Sequence, residues 1–154
     1  MFIGRYHSKI DNQSRLTVSA DFRQLLSEGS FVIQGFDRNL MVLTANAFRE
    51  LCRLITAKNI ADPLTRLLLR MTLGSASRIE VDGSGRITIP PDLREFAGLV
   101  SETILVGQGD YFEVWAPATW NDQEACLNDA DANKERFAGL DLAKRSDRFN
   151  DRPA

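Results

Sequence analysis

Residues 81–97 read VDGSGRITIPPDLREFA, and this stretch decides the fold because the chain writes it twice. Residues 10–26, IDNQSRLTVSADFRQLL, lie over it without a gap at an offset of 71 residues. Asp11, Arg15, Thr17, Asp21 and Arg23 meet Asp82, Arg86, Thr88, Asp92 and Arg94. Ile10, Leu16, Val18 and Phe22 meet Val81, Ile87, Ile89 and Leu93, so apolar positions also coincide. In LTVS and ITIP, apolar and polar side chains alternate with the period of a half-buried strand. The aspartate and the small residues after it predict a tight turn before that strand, with Gly83 and Gly85 in one copy and Asn12 and Ser14 in the other. Pro90-Pro91 stops the strand, Pro91 suits the first turn of a short helix, and Gly98 ends that helix.

Working outward, FVIQGFD resembles ILVGQGD and LMVLTANAF resembles FEVWAPATW. Each copy is therefore predicted as strand, turn, strand, short helix, strand, turn, strand and a closing helix, at about 46–57 and 118–128. Between the copies, ADPLTRLLLRMTLG predicts a helix starting near Asp62-Pro63, with Leu64, Leu67, Leu68 and Met71 at helical spacing. The expected organisation is a first repeat at 5–57, a linker helix within 58–75, a second repeat at 76–130 and a charged, mobile tail at 131–154, with a short helix around Lys134 to Leu140. Four short strands cannot bury both faces of a small sheet. Two such units can interlock, which predicts a mainly β fold with peripheral helices (α+β), a pseudo-twofold and one shared core.

The bulk numbers narrow the function classes. The 154 residues carry 19 Lys and Arg against 21 Asp and Glu, a net charge of −2. Residues 121–154 hold eight acidic and six basic side chains, so the acidity sits there and residues 1–120 are neutral. Any basic patch must be local. MFIGRYHSKI lacks the apolar stretch of a signal peptide, and no window approaches the length of a membrane span. Cys52 and Cys126 are isolated and expected to be small buried hydrophobes; with His7 the lone histidine, no zinc site is expected. A cytoplasmic protein without cofactor, metal or small-molecule ligand is the expectation.

The MF-x-G start, the two D-x-x-x-R copies, GRITIPPDLREFAGL, ILVGQGDYFEVW and the LLLRMTLGSAS segment together resemble the MraZ family, over about residues 1–145. Each copy also looks like half of an AbrB/SpoVT-type swapped-hairpin, double-ψ-like β-barrel. The resemblance implies a bacterial transcriptional regulator of the division and cell-wall gene cluster, found with the nucleoid. It implies binding of repeated promoter boxes in double-stranded DNA by a ring-shaped homo-oligomer. Carried over by position, the motif residues are Asp11, Arg15, Asp82 and Arg86. The first copy departs from the family pattern at Gln13-Ser14, where lysine-glycine is common.

Chemically, Arg15 and Arg86 each stand just after a turn, at the mouth of a strand. A guanidinium there can reach a phosphate or the O6/N7 edge of guanine. Asp11 and Asp82 can accept backbone N–H bonds, steady the loop and orient the arginine; each Asp–Arg pair can equally do no more than tie its own turn. Arg5 and Lys9 share one side of a strand with His7 and, with Arg15, are expected to form a basic stripe. Arg23 and Arg94 are expected to make intramolecular or intersubunit pairs beside Asp21 and Asp92. Arg66 and Arg70 suit helix-surface pairing, and Phe112, Trp115 and Trp120 suit packing. An enzyme is not expected. The aspartates are followed by Asn or Gly rather than an aspartic-protease turn, and no dinucleotide or phosphate-loop fingerprint is present. The other class kept open is an oligomeric, antitoxin-like regulator of the AbrB fold that acts through a protein partner.

Overall fold

In the computed structural model, which describes residues 1–140 and 142, both copies follow the same order of elements. The first copy comprises β1 (Arg5–Lys9), β2 (Arg15–Thr17), α1 (Ala20–Leu25), β3 (Ser30–Gln34), β4 (Leu40–Thr44) and α2 (Ala45–Thr56). The connecting helix α3 (Pro63–Thr72) and one 3₁₀ turn lead to β5 (Ser77–Ile79), β6 (Arg86–Thr88), α4 (Pro91–Phe96), β7 (Glu102–Gly107), β8 (Tyr111–Trp115) and α5 (Pro117–Leu127). The last helix is α6 (Ala130–Ala138).

Helix ends fall where the residues place them. Asp62 accepts from the N–H of Leu64 at 2.9 Å with Pro63 in the first turn of α3, an N-cap arrangement. Thr44 caps α2 through the N–H of Ala47 at 3.1 Å. Gly98, at φ +64°, closes α4 as Leu99 donates to the Arg94 carbonyl at 3.1 Å.

The chain forms two compact units, Met1–Trp120 and Asn121–Ala154. In the second, Asp129 caps α6 through the N–H of Ala132. Cys126 is exposed rather than buried, whereas Cys52 in the first unit is half-buried. Of the mobile tail expected at 131–154, the part up to Ala138 lies in α6, and the part past Leu140 falls outside the described residues, Leu142 apart.

Six strands form one antiparallel sheet in the order β1-β7-β8-β4-β3-β5, and β2 pairs with β6 in a separate ribbon. The copies interlock: β1 lies on β7, β5 on β3 and β2 on β6, so each of these pairs joins a strand of one copy to a strand of the other. One sheet face sends Val32, Leu40, Val42, Leu105, Phe112 and Val114 into the main core. There they join Leu16 and Ile87 of the ribbon, Phe22 of α1 and Leu93 of α4. Leu16 and Ile87 are wholly buried, and each such side chain contributes about 1.5–3 kcal/mol. Phe2 belongs to the same core; its ring sits 5.2 Å from Phe22 and 5.3 Å from Phe112. The other sheet face holds Ile33, Met41 and Leu43 against Phe48 and Leu51 of α2, and Ile104, Val106, Trp115 and Trp120 in a second group. The expected packing role of Phe112, Trp115 and Trp120 is therefore met.

The expected closed barrel is not formed. β1 and β5 stand at opposite ends of the sheet and do not pair. The physical reason is strand length. β2 and β6 have three residues each and pair with one another. The ribbon joins the sheet edge at a single isolated bridge, Ile10 to Leu16, too little backbone to complete a cylinder. The fold is α+β with an open sheet and a ribbon capping its core face.

Candidate nucleic-acid interface

The two turns that open the ribbon have one backbone design. Asp11 N–H donates to the Arg15 carbonyl at 3.0 Å and Ser14 N–H to the Asp11 carbonyl at 3.1 Å. Asp82 N–H donates to the Arg86 carbonyl at 2.8 Å and Gly85 N–H to the Asp82 carbonyl at 3.0 Å. Each carboxylate then gathers two more backbone donors. Asp11 Oδ1 accepts from Gln13 and Arg15, both at 2.9 Å. Asp82 Oδ1 accepts from Ser84 at 2.8 Å and Arg86 at 3.0 Å. These N–H groups, above all that of the arginine, hold both carboxyls below the usual carboxylate range.

The ribbon brings the turns together. Val18 N–H donates to the Gly85 carbonyl at 3.0 Å, and Ile89 N–H to the Ser14 carbonyl at 2.8 Å, so each turn receives a bond from the other copy's strand. In the register, Arg15 faces Thr88 and Arg86 faces Thr17, with Leu16 opposite Ile87 between them. Since Leu16 and Ile87 point into the core, Arg15 and Arg86 both lie on the outer face of the ribbon. Their side chains are 34% and 29% exposed, within reach of solvent.

The side-chain geometry differs between copies. Arg15 Nε donates to Asp11 Oδ2 at 2.7 Å. Arg86 Nε lies 3.5 Å from Asp82 Oδ2, and its Nη1 lies 3.6 Å from Asp11 Oδ2. Arg86 Nε is buried without a hydrogen-bond partner. Asp11 thus faces both arginines. The face can offer guanidinium N–H groups outward to an anion, with the Asp11 carboxylate behind holding the Arg15 head in place.

The helix arginines contact the turns in a way that motif spacing did not expose. Arg94 of α4 crosses to the other copy's turn. Its Nη1 donates to the Asp11 carbonyl at 2.7 Å and to Ser14 Oγ at 3.0 Å, while Nε and Nη2 bind the carbonyls of Leu99 and Val100. Arg23 of α1 takes the equivalent place over Gly85, where a β-carbon would sit 1.9 Å from its Nη1. Arg94 is bound within the chain to carbonyls and a hydroxyl rather than to Asp92, whereas the Arg23 side chain lies over Gly85 without a hydrogen bond or ion pair to a described residue. Asp21 instead accepts from the Tyr6 hydroxyl at 2.9 Å, which raises the Tyr6 pKa. The signal available in the sequence was the recurrence of Arg23 and Arg94 at the same 71-residue offset.

The structure separates Arg5 and Lys9 from this strip. Arg5, His7 and Lys9 do share one side of β1, but Arg5 is paired with Val106 and His7 with Ile104. Those partners lie on the sheet face away from the main core, whereas Tyr6 turns to the core face. Arg5 lies over the Trp120 ring at 5.1 Å, and Lys9 lies 3.7 Å from Glu102. A continuous stripe with Arg15 is not formed, because the sheet stands between them. Arg66 donates to the carbonyls of Ile60 and Ala61, each at 3.0 Å. Among the described residues, no group of three or more His, Cys, Asp or Glu side chains gathers at metal-binding distance, and no helix is long and apolar enough to cross a membrane.

Comparison with known proteins agrees with this duplication. A family model described as "MraZ protein, putative antitoxin-like" matches the chain twice, over residues 1–71 and 72–141. A protein of Roseiflexus castenholzii named transcriptional regulator MraZ is 40% identical over 138 residues, 90% of this chain and 94% of its own length. Its namesake in Corynebacterium kroppenstedtii is 38% identical over 92% of this chain and 99% of its own length. One in Dictyoglomus thermophilum is 33% identical over 91% and 98%.

Proposed function

The chain belongs to the MraZ family, and we propose that it is a transcriptional regulator that binds double-stranded DNA sequence-specifically through Arg15 and Arg86. The single observation that carries this proposal is the placement of both arginines, one from each copy, on the outward face of one ribbon. The relatives' shared name supports the regulatory role. Asp11 and Asp82 orient the loops. Arg5 and Lys9 face elsewhere and have Trp120 and Glu102 as partners, so at most they contribute at the margin.

The proposed targets are repeated boxes in the promoter of the division and cell-wall gene cluster, bound in the cytoplasm at the nucleoid, without enzymatic chemistry. Two interface arginines make few phosphate contacts, each contributing about −0.9 to the log–log salt slope. One subunit then binds weakly. Linked modules on adjacent boxes gain roughly 10²- to 10⁴-fold, which favours a ring-shaped homo-oligomer. Exposed Leu54, Ile60, Leu64 and Leu67 around α2 and α3 supply apolar surface for such self-association. The halves, 5–57 and 76–130 joined by 58–75, are proposed as a swapped-hairpin pair of AbrB/SpoVT type, with 131–154 as an appended tail.

A gel-shift on the DNA upstream of the chain's own coding sequence tests the proposal. The wild type is expected to shift it at low salt and less at high salt. The double variant Arg15→Ala/Arg86→Ala is expected to lose the shift. Unaltered binding by a folded double variant removes the site.

A further inference from the structure

We propose that the two interface arginines have different tasks, Arg15 reading base edges and Arg86 gripping the phosphate backbone. The inference rests on the DNA-facing role just proposed and refines it. A base-reading arginine must present its terminal fork at a fixed angle, because bidentate hydrogen bonding to guanine O6 and N7 tolerates little rotation. A phosphate-binding arginine needs only available donors and room to adapt, because phosphate contacts carry no sequence information directly.

Arg15 meets the first requirement. Its Nε is fixed to Asp11 Oδ2 at 2.7 Å, which leaves Nη1 and Nη2 at the far end as a fork. The Asp11 carboxylate is itself fixed by the N–H groups of Gln13 and Arg15. The turn beneath is held from the second copy by Arg94, through the Asp11 carbonyl and Ser14 Oγ. Three layers of bonds thus set the direction of one guanidinium before any ligand arrives, so less entropy is lost on binding.

Arg86 meets the second. Its side chain donates no hydrogen bond to a described residue, and its contacts with Asp82 and Asp11 are long, at 3.5 and 3.6 Å. Its buried Nε has no partner. Among the described residues, Arg23 donates no hydrogen bond to the turn that carries Arg86, where Arg94 makes two to the other. Arg86 therefore keeps the four donors of Nη1 and Nη2 free of hydrogen bonds to described residues and has two long contacts to leave, the state of a head that can shift toward an oxygen-rich anion.

The test is a pair of fluorescence-anisotropy titrations of the full chain. One probe is the duplex upstream of its own coding sequence, and the other is a scrambled duplex of equal length and composition. Each is measured across about 50 to 200 mM salt. Arg15→Lys keeps the charge but removes the fork. It is expected to lower the preference for the upstream duplex by at least about 5-fold per engaged subunit, with the salt slope unchanged. Arg86→Ala is expected to weaken both duplexes by the same factor and to make the slope shallower by about 0.9 per engaged subunit. Arg86→Lys is expected to restore most of that slope. Equal effects of Arg15→Lys and Arg86→Lys on preference, or a lost preference in Arg86→Lys alone, overturn the division while the interface stands. Wild-type-like binding by folded Arg15→Ala and Arg86→Ala overturns the interface and the division together.

Discussion

The Asp11–Arg15 and Asp82–Arg86 turns repeat each other's backbone hydrogen bonds but differ in what holds their side chains. In the first, aspartate and arginine close at 2.7 Å and Arg94 braces the loop from the other copy. In the second the same pair stands 3.5 Å apart, and Arg23 lies over Gly85. The residue in each turn that needs a left-handed backbone tracks this difference. Ser14, at φ +62°, offers Arg94 an acceptor, whereas Gly85, at φ +75°, leaves space for Arg23. Duplication kept the bonds that make the turn, and the braces diverged because each is supplied by the opposite copy.

The largest effect that can break this comparison belongs to the helix arginines. Arg94→Ala removes four hydrogen bonds to a charged donor and is expected to cost about 2–4 kcal/mol by urea denaturation. Arg23→Ala is expected to cost less than about 1 kcal/mol. Equal losses would mean that the two braces are equivalent.

Gly85→Ala comes next. It forces a β-carbon into a left-handed position and against the Arg23 head. The expected loss is about 1–3 kcal/mol by thermal unfolding. Adding Arg23→Ala should recover the steric share and leave the backbone share, so the double variant separates the two.

A smaller effect is confined to acid. Both carboxyls titrate below their ordinary range in the folded chain, chiefly because the N–H of the following arginine bonds the charged form. The stability they supply is full above the unfolded value and is lost as pH falls below about 4, through the folded value. Asp11→Asn and Asp82→Asn should each flatten that acid loss. Asp11→Asn should flatten it more, because Asp11 also holds the Arg15 side chain. Acid titrations followed by circular dichroism would read the order.

Ser14→Gly should change least. It relieves a left-handed serine but removes the hydroxyl that accepts from Arg94. The two terms oppose, and the net shift is expected to stay within about 0.5 kcal/mol. A larger gain would show that the Arg94 bond to Ser14 contributes little beside its bond to the Asp11 carbonyl.

Much of this was legible in the residues alone. The repeat located both turns, and the alternation Arg15-Leu16-Thr17 and Arg86-Ile87-Thr88 put Leu16 and Ile87 inward and the arginines outward. Helices α2, α3 and α5 begin within a residue of where their starts were predicted. Turn chemistry, caps and two-residue periodicity act between near neighbours, so they are written locally. Parity also placed Arg5 and Lys9 together on β1, but it could not say which sheet face they share.

Pairing across the copies, by contrast, joins residues from 45 (Val32 to Ser77) to 101 (Arg5 to Val106) positions apart, and no local rule sets it. Only the tertiary structure decided that β1 lies on β7 and β5 on β3, that the sheet stays open, and that Arg94 reaches the Asp11 turn. The aspartate and arginine that the two turns share likewise could not distinguish a closed Asp11–Arg15 pair from a loose Asp82–Arg86 pair. That difference of under an ångström is set by what the opposite copy packs against each loop.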